Sequence, residues 1–293
     1  MRASGYFAAT FGVGLAAAYS PPALAQQAPG DIKPEKDQYW LLAPTPEDEM
    51  RSFSTDRPPK SNSPYTVDAG HFQYETELVN YSYQRTGPAQ IETLMAPNPT
   101  IKVGLTNDAD FEVNIAPFVS VHTFNHATAI KQDFTGNGDL FTRLKVNLLG
   151  NDGGDSAFAL IPYVKFPTAP AGIGDGAVEG GVIAPLSLSL PDKFTLLFNW
   201  EADTLRDNEG PGYHSNFAAL VNLSRPIVKD VTFDVELWSD FDNDPAKSTR
   251  QYSFDTAITW MIKPNLQADL GVNIGLNSAT PAIQPYVGLS QRF

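Results

Sequence analysis

The chain ends on a run that alternates strictly. Ile283, Pro285, Val287, Leu289 and Phe293 fall on one side, and Tyr286, Gly288, Ser290 and Arg292 on the other. A strand has a side-chain period of two, so one face of this run is apolar and the other polar or charged. The same pattern recurs twelve times, over 70–83, 99–105, 111–123, 138–149, 157–167, 177–190, 194–203, 214–225, 231–241, 251–261, 266–276 and 283–293. Most of these runs reach the roughly 9–11 residues that a tilted strand needs to cross a bilayer. The repetition predicts an all-β protein: a transmembrane antiparallel up-and-down β-barrel of about twelve strands, preceded by an irregular N-terminal extension.

The N-terminus fits that destination. Arg2 supplies a positive start, residues 6–18 are mostly apolar, and Ala23-Leu24-Ala25 forms an A-x-A cleavage site, so residues 1–25 read as a signal peptide. Elsewhere the chain lacks the roughly 18 consecutive apolar residues of a spanning helix. In lipid, where no water satisfies the backbone, that leaves a closed barrel. Residues 26–64 are rich in proline and charge and lack alternation, which predicts a periplasmic extension or a plug that folds back into the lumen. Residues 65–293 are assigned to the barrel. Short connections at 106–110, 150–156, 191–193, 226–230 and 262–265 alternate with longer ones at 84–98, 124–137, 168–176, 204–213 and 242–250. The short set belongs on the periplasmic side and the long set outside. Pro117, Pro162, Pro185 and Pro285 interrupt predicted strands and should mark bulges or breaks, since each removes a ladder donor.

Composition narrows the function. There is no cysteine, which excludes disulfides and thiolate metal sites. The formal net charge is −13, and removal of Arg2 with the leader makes the mature chain one unit more acidic. That argues against nucleic acid as a partner, which calls for a basic face. The mean hydropathy of −0.22 is too polar for a helical membrane protein, but suits a barrel in which only alternate residues meet lipid.

Alternation assigns a lumen-lining set: Glu75, Glu77, Lys102, Glu112, Arg143, Lys145, Lys165, Glu179, Glu201, Asp203, Asp234, Glu236, Asp255, Asp269 and Arg292, with Asp240 beside them. Two readings of this set stay open: a lumen closed by ion pairs, or a polar conduit that selects solutes. Bases gather on the fourth and fifth runs, and acids on the first and on the seventh to tenth, which predicts a transverse field. Asp56 and Arg57, in the extension, are candidate plug contacts to the wall charges. Trp200, Tyr252, Trp260 and Phe293 read as interfacial girdle residues.

Other motifs carry less. His214 and Ser215 invite an esterase reading, but adjacent strand residues point to opposite faces, so the nucleophile–base contact is not implied. His71, His122, His126 and His214 show no ligand spacing, so no metal or cofactor is expected. Gly172-Ile173-Gly174-Asp175-Gly176 lacks the Lys-Ser/Thr of a phosphate loop and reads as a flexible connection.

Several stretches are shared with a known family: Ser54-Thr55-Asp56-Arg57-Pro58, Ser63-Pro64-Tyr65-Thr66-Val67 with Gly70-His71-Phe72, and Gly138-Asp139 through Arg143 to Asp152. Pro162-Tyr163-Val164-Lys165-Phe166-Pro167 and Gly176-Ala177-Val178-Glu179-Gly180-Gly181 belong with them. Over nearly the whole mature length the chain resembles a bacterial outer-membrane "transporter" family linked to the meta-pathway of phenol degradation. The resemblance implies an outer-membrane channel of a Gram-negative bacterium for small molecules, with hydrophobic or aromatic solutes suggested by the pathway alone. It brings no catalytic residues. The implied partners are outer-membrane lipid, a small-molecule solute, and the barrel-insertion machinery, met through the C-terminal strand ending in Phe293. A barrel-embedded lipid hydrolase and a structural barrel without transport are the competing functions.

Overall fold

A computed structural model describes residues 36–293 apart from position 59. The leader expected over residues 1–25, and the extension through residue 35, lie outside the described residues. Fifteen strands follow one another: β1 Phe72–Thr86, β2 Ala89–Met95, β3 Asn98–Thr106, β4 Ala109–Asn114, β5 Val119–Asn125, β6 Ile130–Gly136, β7 Leu140–Leu149 and β8 Ser156–Phe166. Then come β9 Glu179–Ser189, β10 Thr195–Arg206, β11 Tyr213–Val228, β12 Val231–Asp242, β13 Thr249–Lys263, β14 Leu266–Gly275 and β15 Ile283–Arg292. Every pairing is antiparallel, and β15 pairs with β1 to close the ring. The last rung is made by the terminus itself: the Phe293 N–H donates to Phe72 O at 2.8 Å, and the Phe72 N–H donates to Phe293 O at 3.3 Å.

The closed ring has twelve positions, because three strands are each built in two pieces. β2 and β3 join around Pro97, β4 and β5 around Pro117, and β6 and β7 around 137–139. The upper pieces continue the wall outward as β1-β2-β5-β6, and β6 pairs along one edge only, with β5. This corrects the expectation of long loops at 84–98 and 124–137, which contain β2 and β6. In Ile130-Lys131-Gln132-Asp133-Phe134-Thr135-Gly136 the face of Ile130 and Phe134 is interrupted by Gln132, so its alternation is weak.

The strand-internal prolines behave in two ways. Pro117 falls in the break between β4 and β5. Pro162, Pro185 and Pro285 stay inside strands, each paired to one neighbour (Val182, Asn199 and Val272) and with the ladder to the other neighbour interrupted. No bulge is needed there, because the missing donor falls on the interrupted side. A bulge does occur in β1 between Glu77 and Val79, so that Leu78 and Val79 are both exposed before alternation resumes with the buried Asn80.

The burial pattern is the inverse of a soluble protein's. The largest fully buried side chains include Lys145, Glu75, Glu112, Glu236 and Asp255, whereas Leu270, Leu148, Ile101, Phe72 and Leu237 stand exposed. Polar residues inside and apolar residues outside are what a lipid-facing wall around a polar interior requires. Among the described residues no helix is long and apolar enough to cross a membrane. The helical turns described, Lys36–Gln38, Glu47–Glu49 and Pro191–Lys193, are single 3-10 turns.

Candidate functional site: the lumen and the segment that enters it

Residues 36–71 run along the periplasmic rim, dip into the barrel and return. At the rim, Lys36 Nζ donates to Asp152 in the turn after β7 at 2.8 Å, and the Leu41 N–H donates to Leu105 O at 2.8 Å. The Arg51 guanidinium reaches Asn107 Oδ1 at 2.7 Å and Thr66 Oγ1 at 2.8 Å. Asp68, fully buried, accepts from Arg292 at 3.1 Å and from the Arg51 backbone N–H at 3.2 Å. On the return limb, Asn147 Nδ2 donates to Pro64 O at 2.8 Å, and the Val67 N–H donates to Asp110 Oδ2 at 2.8 Å.

The deepest part of this segment places three charges in turn. Asp56 accepts from Lys145 at 2.7 Å and from Lys102, the latter also 2.7 Å from Glu75. Glu112 stands 3.3 Å from Lys145, 3.6 Å from Lys102 and 3.9 Å from Arg143. On the opposite wall, Arg57 makes a two-pronged contact with Asp269, at 2.7 and 3.2 Å, and lies 3.4 Å from Glu77. Lys60 donates to Asp255 at 2.8 Å and to Ser253 at 2.6 Å, while its backbone N–H donates to Glu236 at 3.2 Å. Its ammonium also lies 4.5 Å from the centre of the Trp238 ring.

The segment sets Asp56 against Lys102 and Lys145 of one wall, and Arg57 and Lys60 against Asp269 and Asp255 of the other. The transverse field expected from the walls alone is therefore compensated. Buried charges are tolerated only when paired in this way. Burial acts to raise the Asp56 carboxyl, and the Lys102 and Lys145 ammoniums outweigh it, holding the group well below the usual carboxylate range. Small residues on the wall make the approach possible. A Cβ at Gly288 of β15 would meet the Arg57 guanidinium, and one at Gly104 of β3 would meet the Asp68 backbone.

The other lumen residues form a second tier. Lys165 is paired with Glu179 and Asp175, both at 2.7 Å. Asp203 accepts from the Tyr163 hydroxyl at 2.7 Å and from Asn216 at 3.1 Å, and Asn216 also donates to Asp240 at 2.8 Å. Glu201 is half-buried on the same strand face as Asp203, and Asp234 is buried against the lower part of the lumen. None of the predicted lumen residues is on the exposed surface. Sequence reasoning missed Arg51, Lys60 and Asp68, which lie where no periodicity exists, and did not name Trp238; Tyr163 and Tyr286 were placed on the inward face by alternation, but their contacts to Asp203 and Arg57 were not foreseen.

Three cavities follow one another along the axis. A lower one of ≈370 Å³ lies between the segment and the β9–β14 wall, lined by Tyr65, Asn222 and Asp234 among others. A polar one of ≈180 Å³ sits above it, lined by Lys60, Asn98, Asn114 and Arg143, and the two share Arg57. A third, of ≈460 Å³, is lined largely by apolar groups (Met95, Val119, Val121, Phe141, Ile173) and shares Asn98 and Asn114 with the polar cavity.

The esterase pair does not assemble. The His214 ring engages Asp207 and Asp242, while Ser215 Oγ has Asn243 Nδ2 as its neighbour at 3.5 Å.

A family model described as "Putative MetA-pathway of phenol degradation" matches residues 55–293. No curated protein sequence matches the chain. Among solved structures, an outer membrane channel from Pseudomonas putida F1 superposes with a TM-score of 0.63 at 11% identity, covering 78% of this chain and 97% of the other. The translocator domain of the autotransporter NalP from Neisseria meningitidis gives a TM-score of 0.46 at 10% identity, over 76% and 88% of the two chains. The superposition on the Pseudomonas putida channel and the apolar exterior show the fold of an outer-membrane β-barrel.

Proposed function

The chain belongs to the family that this phenol-degradation description names, and on that premise we propose that it is a non-enzymatic outer-membrane channel for small molecules, with the segment 36–71 as its internal plug. The observation that carries the reading is the line of cavities joined through Asn98, Asn114 and Arg57. An apolar chamber outside a narrow polar one favours small solutes with an apolar or aromatic body and a polar group. The body would rest against Met95, Val119, Val121 and Phe141, and the polar group would exchange hydrogen bonds with Asn98 and Asn114. Arg57, held by Asp269 and Glu77, is the constriction between the polar and lower chambers.

Liposome swelling over solutes of graded size and polarity tests the reading. The full chain should pass small phenol-like solutes faster than sugars of equal size, and a chain lacking residues 36–62 should pass both, with raised single-channel conductance. A deletion that leaves conductance unchanged would remove the plug; equal exclusion of every solute by both proteins would remove the channel. The insertion machinery is the second proposed partner. Removal of Phe293 should lower barrel assembly in cells while leaving refolding in detergent intact.

A further inference from the structure

His214 is the second residue of β11, at the extracellular mouth, and its side chain is only 6% exposed. Its Nδ1 lies 3.0 Å from Asp207 Oδ1 and 3.6 Å from Asp244 Oδ2, and its Nε2 lies 2.9 Å from Asp242 Oδ1. Asp207 belongs to the β10–β11 connection, Asp242 ends β12, and Asp244 lies in the β12–β13 connection. Two separate loops thus meet on one imidazole.

Three observations distinguish this cluster from a solvated ion pair. First, one ligand atom each from Asp207, His214 and Asp244 all lie within 4.8 Å of one another. Ligands bound at about 2.0–2.2 Å to one zinc-class ion sit roughly 3–3.6 Å apart, so a small closure brings the three onto one centre. Second, charge is unbalanced. Three carboxylates face one imidazole, and among the described residues no lysine ammonium or arginine guanidinium pairs with these carboxylates; the Arg250 guanidinium donates instead to the Asp242 backbone carbonyl at 2.7 Å, and Lys247 reaches Asp244 only through its backbone N–H. Third, His214 Nε2 is buried and makes no well-formed hydrogen bond, although Asp242 is beside it. Nδ1 is hydrogen-bonded to Asp207 Oδ1 at 3.0 Å, and a metal that takes the place of that proton leaves Nε2–H facing Asp242 and the Nδ1 lone pair directed at the centre. That is the carboxylate–histidine–metal relay in which an outer carboxylate fixes the tautomer.

The ligands are already held. Asp244 has a fully buried side chain, and its carboxylate accepts from the backbone N–H groups of Asn208 and Ala246, both at 2.7 Å. The Asp244 N–H in turn donates to Asp242 Oδ1 at 2.8 Å. One nitrogen and two carboxylate oxygens suit a first-row divalent transition metal better than calcium or magnesium, which prefer all-oxygen shells.

We propose that Asp207, His214 and Asp244 bind a divalent transition metal at the extracellular mouth, with Asp242 as the positioning carboxylate, so that the ion staples the 207–212 loop to the 243–248 loop. Calorimetric titration of the untagged protein in detergent with Zn²⁺ tests it, and Co²⁺ absorption reports the ligand field. The expected result is one saturable equivalent at micromolar concentration, not displaced by Ca²⁺ or Mg²⁺. It should be lost in H214A and D207N, and weakened roughly 10–100-fold in D242N, the usual effect of an outer-shell change. Zn²⁺ should also protect the 207–212 loop from proteolysis in the unsubstituted protein, which separates metal binding from any loosening that H214A causes. Binding only at millimolar concentration, or undiminished binding in both H214A and D207N, would overturn the proposal.

Discussion

At the scale of single residues, Asp56 is the point on which the inserted segment turns, bridging Lys102 and Lys145. Replacing it with asparagine leaves two buried ammoniums short of a counter-charge, a change that costs about 3–5 kcal/mol for a buried pair. D56N should therefore release the segment and raise single-channel conductance in planar bilayers. The pH response follows from the depressed carboxyl. Its contribution is complete above the ordinary carboxylate range and is lost only as pH falls through the lower folded value. Asp56 itself should contribute no change in conductance from neutral pH down to about 4, where an unpaired aspartate is already titrating. A rise in conductance near pH 5 that is absent from D56N would show that the two lysines do not hold it. Gly288 tests the same contact from the wall side. G288L would fill the space that Arg57 uses to reach Asp269, so it should also increase solute flux, with the barrel still resistant to SDS at room temperature.

At the scale of elements, the sequence was most informative where one face meets lipid and the other the lumen. The β10–β15 alternation is legible because Leu196, Phe217, Phe233, Phe254 and Leu270 recur opposite asparagines and acids. Legibility failed where that contrast is weak: β2 and β6 rise on the extracellular side, and in β6 Gln132 interrupts the face of Ile130 and Phe134. Residues 36–71 were illegible for a different reason. Their backbone groups are met by side chains far away in sequence, such as Asn147, Asn151 and Asp110, and no local period can encode such partners. The candidate metal ligands are equally non-local, since two loops must close before Asp207 and Asp244 flank His214. The lipid face itself can be tested. Leu270, 61% exposed on β14, should tolerate alanine, whereas L270R should cost about 2–4 kcal/mol if it lies near the bilayer midplane. Urea unfolding in lipid vesicles measures this, and an unchanged midpoint would mean that this face does not meet hydrocarbon.

At the scale of the molecule, the charge map has a functional corollary. Lys102 and Lys145 are fully buried and Lys165 nearly so, all committed to partners, whereas the Arg143 side chain keeps 25% exposure at the edge of the polar cavity. Arg143 is thus the wall cation of the barrel exposed at that cavity, beside the equally exposed Lys60 of the inserted segment. R143E should move the reversal potential in a salt gradient toward cation preference, while K145E should act mainly by dislodging the segment. Unchanged selectivity in R143E would place the ion path elsewhere.

Both limbs of the inserted segment start from the same rim, with Lys36 beside Asp152 at one end and His71 hydrogen-bonded to Phe293 O at 3.1 Å at the other. Tension applied to the leading end from the periplasm would therefore break its attachments one after another, like a zip, rather than all at once in shear. Removing the obstruction needs neither a wider barrel nor a gap between strands, only a pull whose work is spread over successive small steps.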